Sequence, residues 1–106
     1  METIYVDRNN KFAKKLYLNN TALTSDQMDA ISRVDIVFKG VTYDSATYAA
    51  AFDWTTEKAN SYIIFALGEI SVLPEGHDQK AELIVYTSED TDGIIWDYID
   101  LTVYDI

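Results

Sequence analysis

The chain has no cysteine, one proline, four glycines and one histidine among its 106 residues, and these shortages close off whole classes of chemistry. Without cysteine there are no disulfides, no thiolate metal ligands and no cysteine nucleophile, so packing and backbone hydrogen bonding must carry the stability. His77 is all that a Ser-His-Asp triad or an imidazole metal site would have to build on. The glycines at 40, 68, 76 and 93 stand far apart, each in a plausible turn, so no glycine-rich phosphate cradle is present. Long apolar runs are missing as well, none approaching the roughly 20 residues that span a bilayer. The opening METIYVDRNNKF also lacks the basic-then-apolar order of a signal peptide. Synthesis in a cytoplasm and no membrane partner are therefore expected.

Basic residues are scarce too: eight Lys and Arg face eighteen Asp and Glu, for a net charge of −10. That balance argues against a nucleic-acid backbone or an anionic membrane as partner, since both reward clustered cations. The deficit is uneven. Residues 1–40 carry six Lys/Arg against five Asp/Glu, a net +1, whereas residues 41–106 carry two against thirteen, a net −11. Lys11, Lys14 and Lys15 form a basic cluster that suits an acidic face of a neighbouring copy in head-to-tail packing. Solubility is the plainer reason for the overall charge.

What is present reads as a folded β protein. Apolar residues make up 48% and aromatics 13%, too much for a disordered chain. The length suits one core, and no repeat or linker divides it, so a single domain over 1–106 is expected. Short runs with a two-residue period recur at the interval of a sandwich or barrel, which predicts a mainly β, antiparallel β-sandwich. Strands are expected at residues 3–6, 11–18, 33–43, 52–54, 61–67, 79–87 and 93–104. Lysines in 11–18 suit an edge strand, and Asn19-Asn20 ends that run as a turn. In 33–43, Val34, Ile36 and Phe38 share one face, with Asp35 and Lys39 on the other. Residues 42–51 carry no readable pattern.

One short connecting helix is expected at about residues 25–31. Thr24 and Gln27 have the spacing of a capping box, and Leu23 can staple onto Met28. In the last strand Ile99, Leu101 and Val103 share one face, while Trp96 and Tyr98 share the other with Asp100, Thr102 and Tyr104. A bulge near Trp96 would swing the indole toward the core instead.

The order Leu73-Pro74-Glu75-Gly76, Ala81-Glu82-Leu83-Ile84-Val85-Tyr86, Asp92-Gly93-Ile94-Ile95-Trp96 and Ile99-Asp100-Leu101-Thr102-Val103 resembles small structural proteins of tailed bacteriophages. The resemblance covers roughly residues 62–106. It implies an immunoglobulin-like sandwich made in the bacterial host cytoplasm and built into the tail, neck or baseplate of the virion. Such a protein has no enzymatic activity and no cofactor, and its partners are other virion proteins or further copies of itself. Lys11, Lys14, Lys15 and Tyr98 are the residues expected to make contacts. Two rival functions are an acidic inhibitor that mimics nucleic acid to block a basic host groove, and a carbohydrate-binding adhesion module using Trp54, Trp96 and Tyr98.

No catalytic residue is proposed. His77 follows Pro74-Glu75-Gly76 in an expected exposed turn, with no nucleophile motif anywhere in the chain. Glu89, Asp90 and Asp92 before Gly93 offer oxygen ligands to a hard cation, which makes Asp90 and Asp92 weak metal candidates. The rest of a calcium loop is missing, so an acidic hairpin turn is the simpler reading. Asp97 and Asp100, three apart on a strand, should point to opposite faces and cannot work as a glycosidase pair.

Overall fold

Alternating apolar side chains can be buried only if one face of each strand finds another layer, and this chain folds two sheets around one such interior. A computed structural model describes all of residues 1–106. In chain order the elements are β1 (Glu2–Tyr5), β2 (Phe12–Lys15), β3 (Tyr17–Leu18), β4 (Thr21–Ala22), α1 (Ser25–Asp29), β5 (Ile31–Phe38), β6 (Val41–Asp44), β7 (Phe52–Asp53), β8 (Tyr62–Phe65), β9 (Gly76–Thr87) and β10 (Ile94–Tyr104). Single 3₁₀ turns lie at Ala49–Ala51, Lys58–Asn60 and Leu67–Glu69.

The larger sheet has the order β1-β10-β9-β5-β6, antiparallel except for β1, which runs parallel to β10 with Glu2 opposite Leu101 and Tyr5 opposite Tyr104. The smaller sheet has the order β2-β8-β7, and β3-β4 form a separate hairpin. Ile4, Val34, Ile36, Leu83, Val85, Leu101 and Val103 from the large sheet join Phe52, Ile63 and Phe65 from the small one in a single cluster of 23 buried side chains. The architecture is thus mainly β and sandwich-like, with one mixed sheet.

The run expected as one strand over 11–18 is split. Leu16, fully buried, leaves the small sheet: its N–H donates to Ser61 C=O at 2.9 Å and its C=O accepts from Leu23 N–H at 3.1 Å. Tyr17–Leu18 then pairs with Thr21–Ala22 across Asn19 and Asn20, both at positive φ, as a tight two-residue hairpin requires. The single strand expected over 33–43 is likewise two strands. Lys39 and Gly40, at φ 52° and 79°, close a second tight hairpin, so β5 folds back as β6 through part of the unreadable segment.

The helix stops at Asp29, two residues short of the expected end, because Ile31 already starts β5. Its capping box is formed as the sequence indicated: Gln27 N–H donates to Thr24 Oγ1 at 3.2 Å and Thr24 N–H to Gln27 Oε1 at 2.8 Å. Leu23 and Met28 are both buried beside it.

Strand β9 starts at Gly76, three residues earlier than expected. His77 therefore sits in a strand and not in a turn, exposed and edge-on to Tyr104 at 5.0 Å. The close approach of the 5–10 loop to the 3₁₀ turn explains Gly68: a Cβ there would lie 1.9 Å from Arg8 O and 2.7 Å from Tyr5 O.

Candidate interaction surface

Strand β2 is an outer strand of the small sheet, paired on one side only with β8, so its other side presents unpaired backbone groups. The three expected contact lysines sit on or beside it and are deployed differently. Lys11 precedes the strand and is exposed. Lys14 lies on the inward face, opposite Ile63, and reaches across the mouth of the sandwich to Asp97 of β10 at 2.9 Å. That lysine, with a backbone bond from Tyr98, holds the Asp97 carboxyl below its ordinary range. Lys15 lies on the outward face, opposite Tyr62, with its ammonium over the rings of Tyr62 and Tyr17 at 5.7 and 6.0 Å.

Tyr98 is 47% exposed on the outer face of the large sheet, with Lys80 Nζ 5.6 Å above its ring. It meets Lys14 around a shallow depression of about 210 Å³ between the two sheet edges, whose walls include Glu2, Phe12 and Asp100. Lys14 and Tyr98 therefore share one site. Lys11 and Lys15 do not line it. Asp97 stands opposite Leu83 and Asp100 opposite Lys80, on the two different faces expected of them.

Sequence reasoning missed a polar cluster on the outer face of the large sheet. Asp35, expected on the outward face, does point there, yet it is only 1% exposed. The guanidinium of Arg33 grips it bidentately, Nε to Oδ1 at 2.8 Å and Nη2 to Oδ2 at 3.0 Å, and Tyr86 O–H donates to Oδ2 at 2.9 Å. Arg33 also lies over the Tyr86 ring at 4.8 Å. The bond to Asp35, reinforced by desolvation, raises the Tyr86 phenol above its usual value. Arg33 and Asp35, two apart on one strand, are the signal for two of its three members; the third comes from 51 residues away.

At the far end of β10 the register slips by one residue between Ile95 and Asp97, which leaves Trp96 as the extra residue of a β-bulge. The bulge, the alternative to regular alternation with Tyr98, is the one formed, but Trp96 is only partly buried, packed against the core and not within it. Trp54 is placed similarly. The indole N–H of Trp96 is buried and finds no acceptor in the protein. Trp96 borders a cleft of about 330 Å³ between α1, the β3-β4 hairpin and the 88–93 loop.

That loop is a hydrogen-bonded turn: Asp90 C=O accepts from Thr87 N–H at 3.3 Å and Gly93 N–H at 3.1 Å. Asp90 and Asp92 are not joined there by a third ligand, and nowhere do three His, Asp or Glu side chains gather as a metal site. Carboxylates occur on both sheets and in the loops, with Asp53 on β7, Glu82 and Asp97 on the large sheet, and Glu89 to Asp92 at its end. No helix is long and apolar enough to cross a membrane.

No protein-family model, no curated protein and no solved structure matches the chain.

Proposed function

We propose that the chain is a non-enzymatic structural protein of a tailed-phage virion, acting in the tail, neck or baseplate through contacts with other virion proteins or with further copies of itself. An immunoglobulin-like connectivity of the sandwich belongs to the same proposal. The observation that carries it is the open edge of β2, flanked by Lys11, Lys15 and the depression shared by Lys14 and Tyr98. An open edge invites strand addition by a partner, and the surrounding lysines favour an acidic one. The resemblance of residues 62–106 to phage structural proteins supplies the virion setting.

Light scattering over a range of protein and salt concentrations tests this reading, alone and with the virion proteins encoded beside it. Assembly that weakens with salt and with Lys11→Glu/Lys15→Glu is the expected result. A chain that stays monomeric and binds none of those proteins would overturn it.

A further inference from the structure

The two sheets end in four outer strands, and three of them are guarded against a second copy of the chain. On β1 the N–H of Tyr5 donates to Asn10 Oδ1 at 2.9 Å and its C=O accepts from Asn10 Nδ2 at 3.3 Å, so a side chain already occupies that edge. On β2, Lys14 and Lys15 oppose self-pairing, because two such strands side by side would crowd their lysines together. Strand β7 is only Phe52–Asp53, and the Asp53 carboxylate is taken up by its own turn.

Strand β6 has no such guard. Val41, Thr42 and Tyr43 are uncharged and β-branched or aromatic, the composition that pairs most readily as strand, and Val41 and Thr42 are exposed. The ladder to β5 leaves specific backbone groups spare. Ser45 N–H donates to Val34 C=O at 2.9 Å, which sets the alternation: the pairs Val34–Ser45, Ile36–Tyr43 and Phe38–Val41 carry the bonds, and Thr42 and Asp44 direct their backbone groups outward. Asp44 C=O accepts from Tyr48 N–H at 3.0 Å. Thr42 N–H, Thr42 C=O and Asp44 N–H are left to solvent.

These groups are self-complementary. Two copies of β6 set antiparallel, with Thr42 opposite Thr42, exchange two backbone bonds on the axis. The same register puts Asp44 opposite Gly40 of the other copy, where Asp44 N–H meets a carbonyl. It also brings the basic end of the strand, at Lys39, next to the acidic end, at Asp44, and opposes no like charges.

We propose that two copies of the chain pair edge to edge along β6, about a two-fold axis at Thr42, joining their five-stranded sheets into one. An edge pair alone covers less than the roughly 800 Å² per partner of a stable complex, so this dimer is weak and forms at high protein concentration. It uses a different edge from the β2 contacts proposed above and is tested apart from them.

The test uses the full chain in sedimentation equilibrium up to about 1 mM, where weak interfaces are read, together with amide hydrogen exchange at Thr42. A monomer–dimer equilibrium is expected, with exchange at Thr42 slowing as protein concentration rises. Added salt should not weaken it, since both copies carry the same net charge of −10. Thr42→Pro removes the outward N–H without touching the ladder to β5, and Thr42→Lys sets two lysines against each other on the axis. Each should weaken dimerisation roughly tenfold or more, the proline by deleting two backbone bonds per dimer. Thr42→Val keeps the backbone groups and should dimerise like the unaltered chain. Lys11→Glu/Lys15→Glu, on the other edge, should leave the dimer unchanged.

The proposal is overturned if the chain stays monomeric at about 1 mM, if exchange at Thr42 ignores concentration, or if T42K dimerises as strongly as the unaltered chain. Should T42P fail to fold, T42K carries the decision, because an exposed lysine on an edge strand leaves the monomer intact. Loss of the dimer in K11E/K15E would move self-association to β2 and overturn it equally.

Discussion

At the scale of single residues, the structure turns on a few side chains whose surroundings leave no substitute. Gly68 is one. A methyl group there would sit inside contact distance of two backbone carbonyls, and Asn10, which donates to Tyr5 C=O and Arg8 C=O while accepting from Tyr5 N–H, holds that loop in place. Gly68→Ala should cost about 2 kcal/mol or more in urea unfolding, whereas alanine at Gly40, where nothing lies within 4 Å, should cost only about 1 kcal/mol for its positive φ. Asp53 is another. It accepts from Thr56 Oγ1 at 2.6 Å, from Thr55 Oγ1 at 3.1 Å and from two backbone N–H groups, and these bonds, led by Thr56, lower its pKa from 3.8 to about 2. A folded-state pKa below the unfolded value adds stability that is complete above about pH 4 and is lost as pH falls toward 2. Asp53→Ala should therefore lower stability by about 1 kcal/mol at neutral pH, after discounting for solvent screening, with the difference closing in melts run near pH 2. Neither residue was legible from the sequence. Gly68 could be placed in a turn, but what demands a glycine there is the crowding of a loop some sixty residues earlier, and Asp53 draws its pKa from the fold of its own turn.

At the scale of elements, legibility follows the range of the interaction. The capping box of α1 and the Asn19-Asn20 turn are local, and both were read correctly from a few residues. The strand expected over 33–43 was not divided at Lys39-Gly40, although Gly40 suits a turn and the apolar phase shifts there, from Val34, Ile36 and Phe38 at even positions to Val41 and Tyr43 at odd ones. The break at Leu16 was hidden for another reason. Its position is set by backbone bonds to Ser61 and Leu23, in other parts of the chain. The bulge at Trp96 was one of two readings of that strand, beside a regular alternation that puts Trp96 on the outer face with Tyr98, and the register slip decides for it. Of the expected contact residues, Lys14 and Tyr98 share a site, but nothing in the spacing announced Asp97 as the partner of Lys14. That ion pair ties the edges of the two sheets together while half of the Asp97 side chain remains in solvent. A double-mutant cycle with Lys14→Met and Asp97→Asn should give a coupling of about 0.5 kcal/mol, fading with added salt. Tyr86→Phe, which removes the phenol from Asp35 but leaves Arg33 in place, should cost about 1–2 kcal/mol. Phenol titration should lose a group that ionises above the usual range.

At the scale of the whole molecule, the alternation of apolar side chains was enough to predict a mainly β sandwich, yet not which strands are neighbours. Pairing of β1 with β10 joins residues about a hundred positions apart, and no periodicity within either segment encodes it. Folding should accordingly be slow for a chain of this length, with refolding in milliseconds to seconds; a submillisecond phase accounting for the whole signal would contradict the topology. The same pairing has a mechanical consequence. Because β1 and β10 run side by side in the same direction, tension applied at Met1 and Ile106 pulls the two strands lengthwise past each other, and their ladder is loaded in shear. Its hydrogen bonds must then rupture together, whereas a hairpin pulled open at its ends yields them one at a time. A domain strung between neighbours by its two ends would hold its shape under load up to the point where that single seam slides.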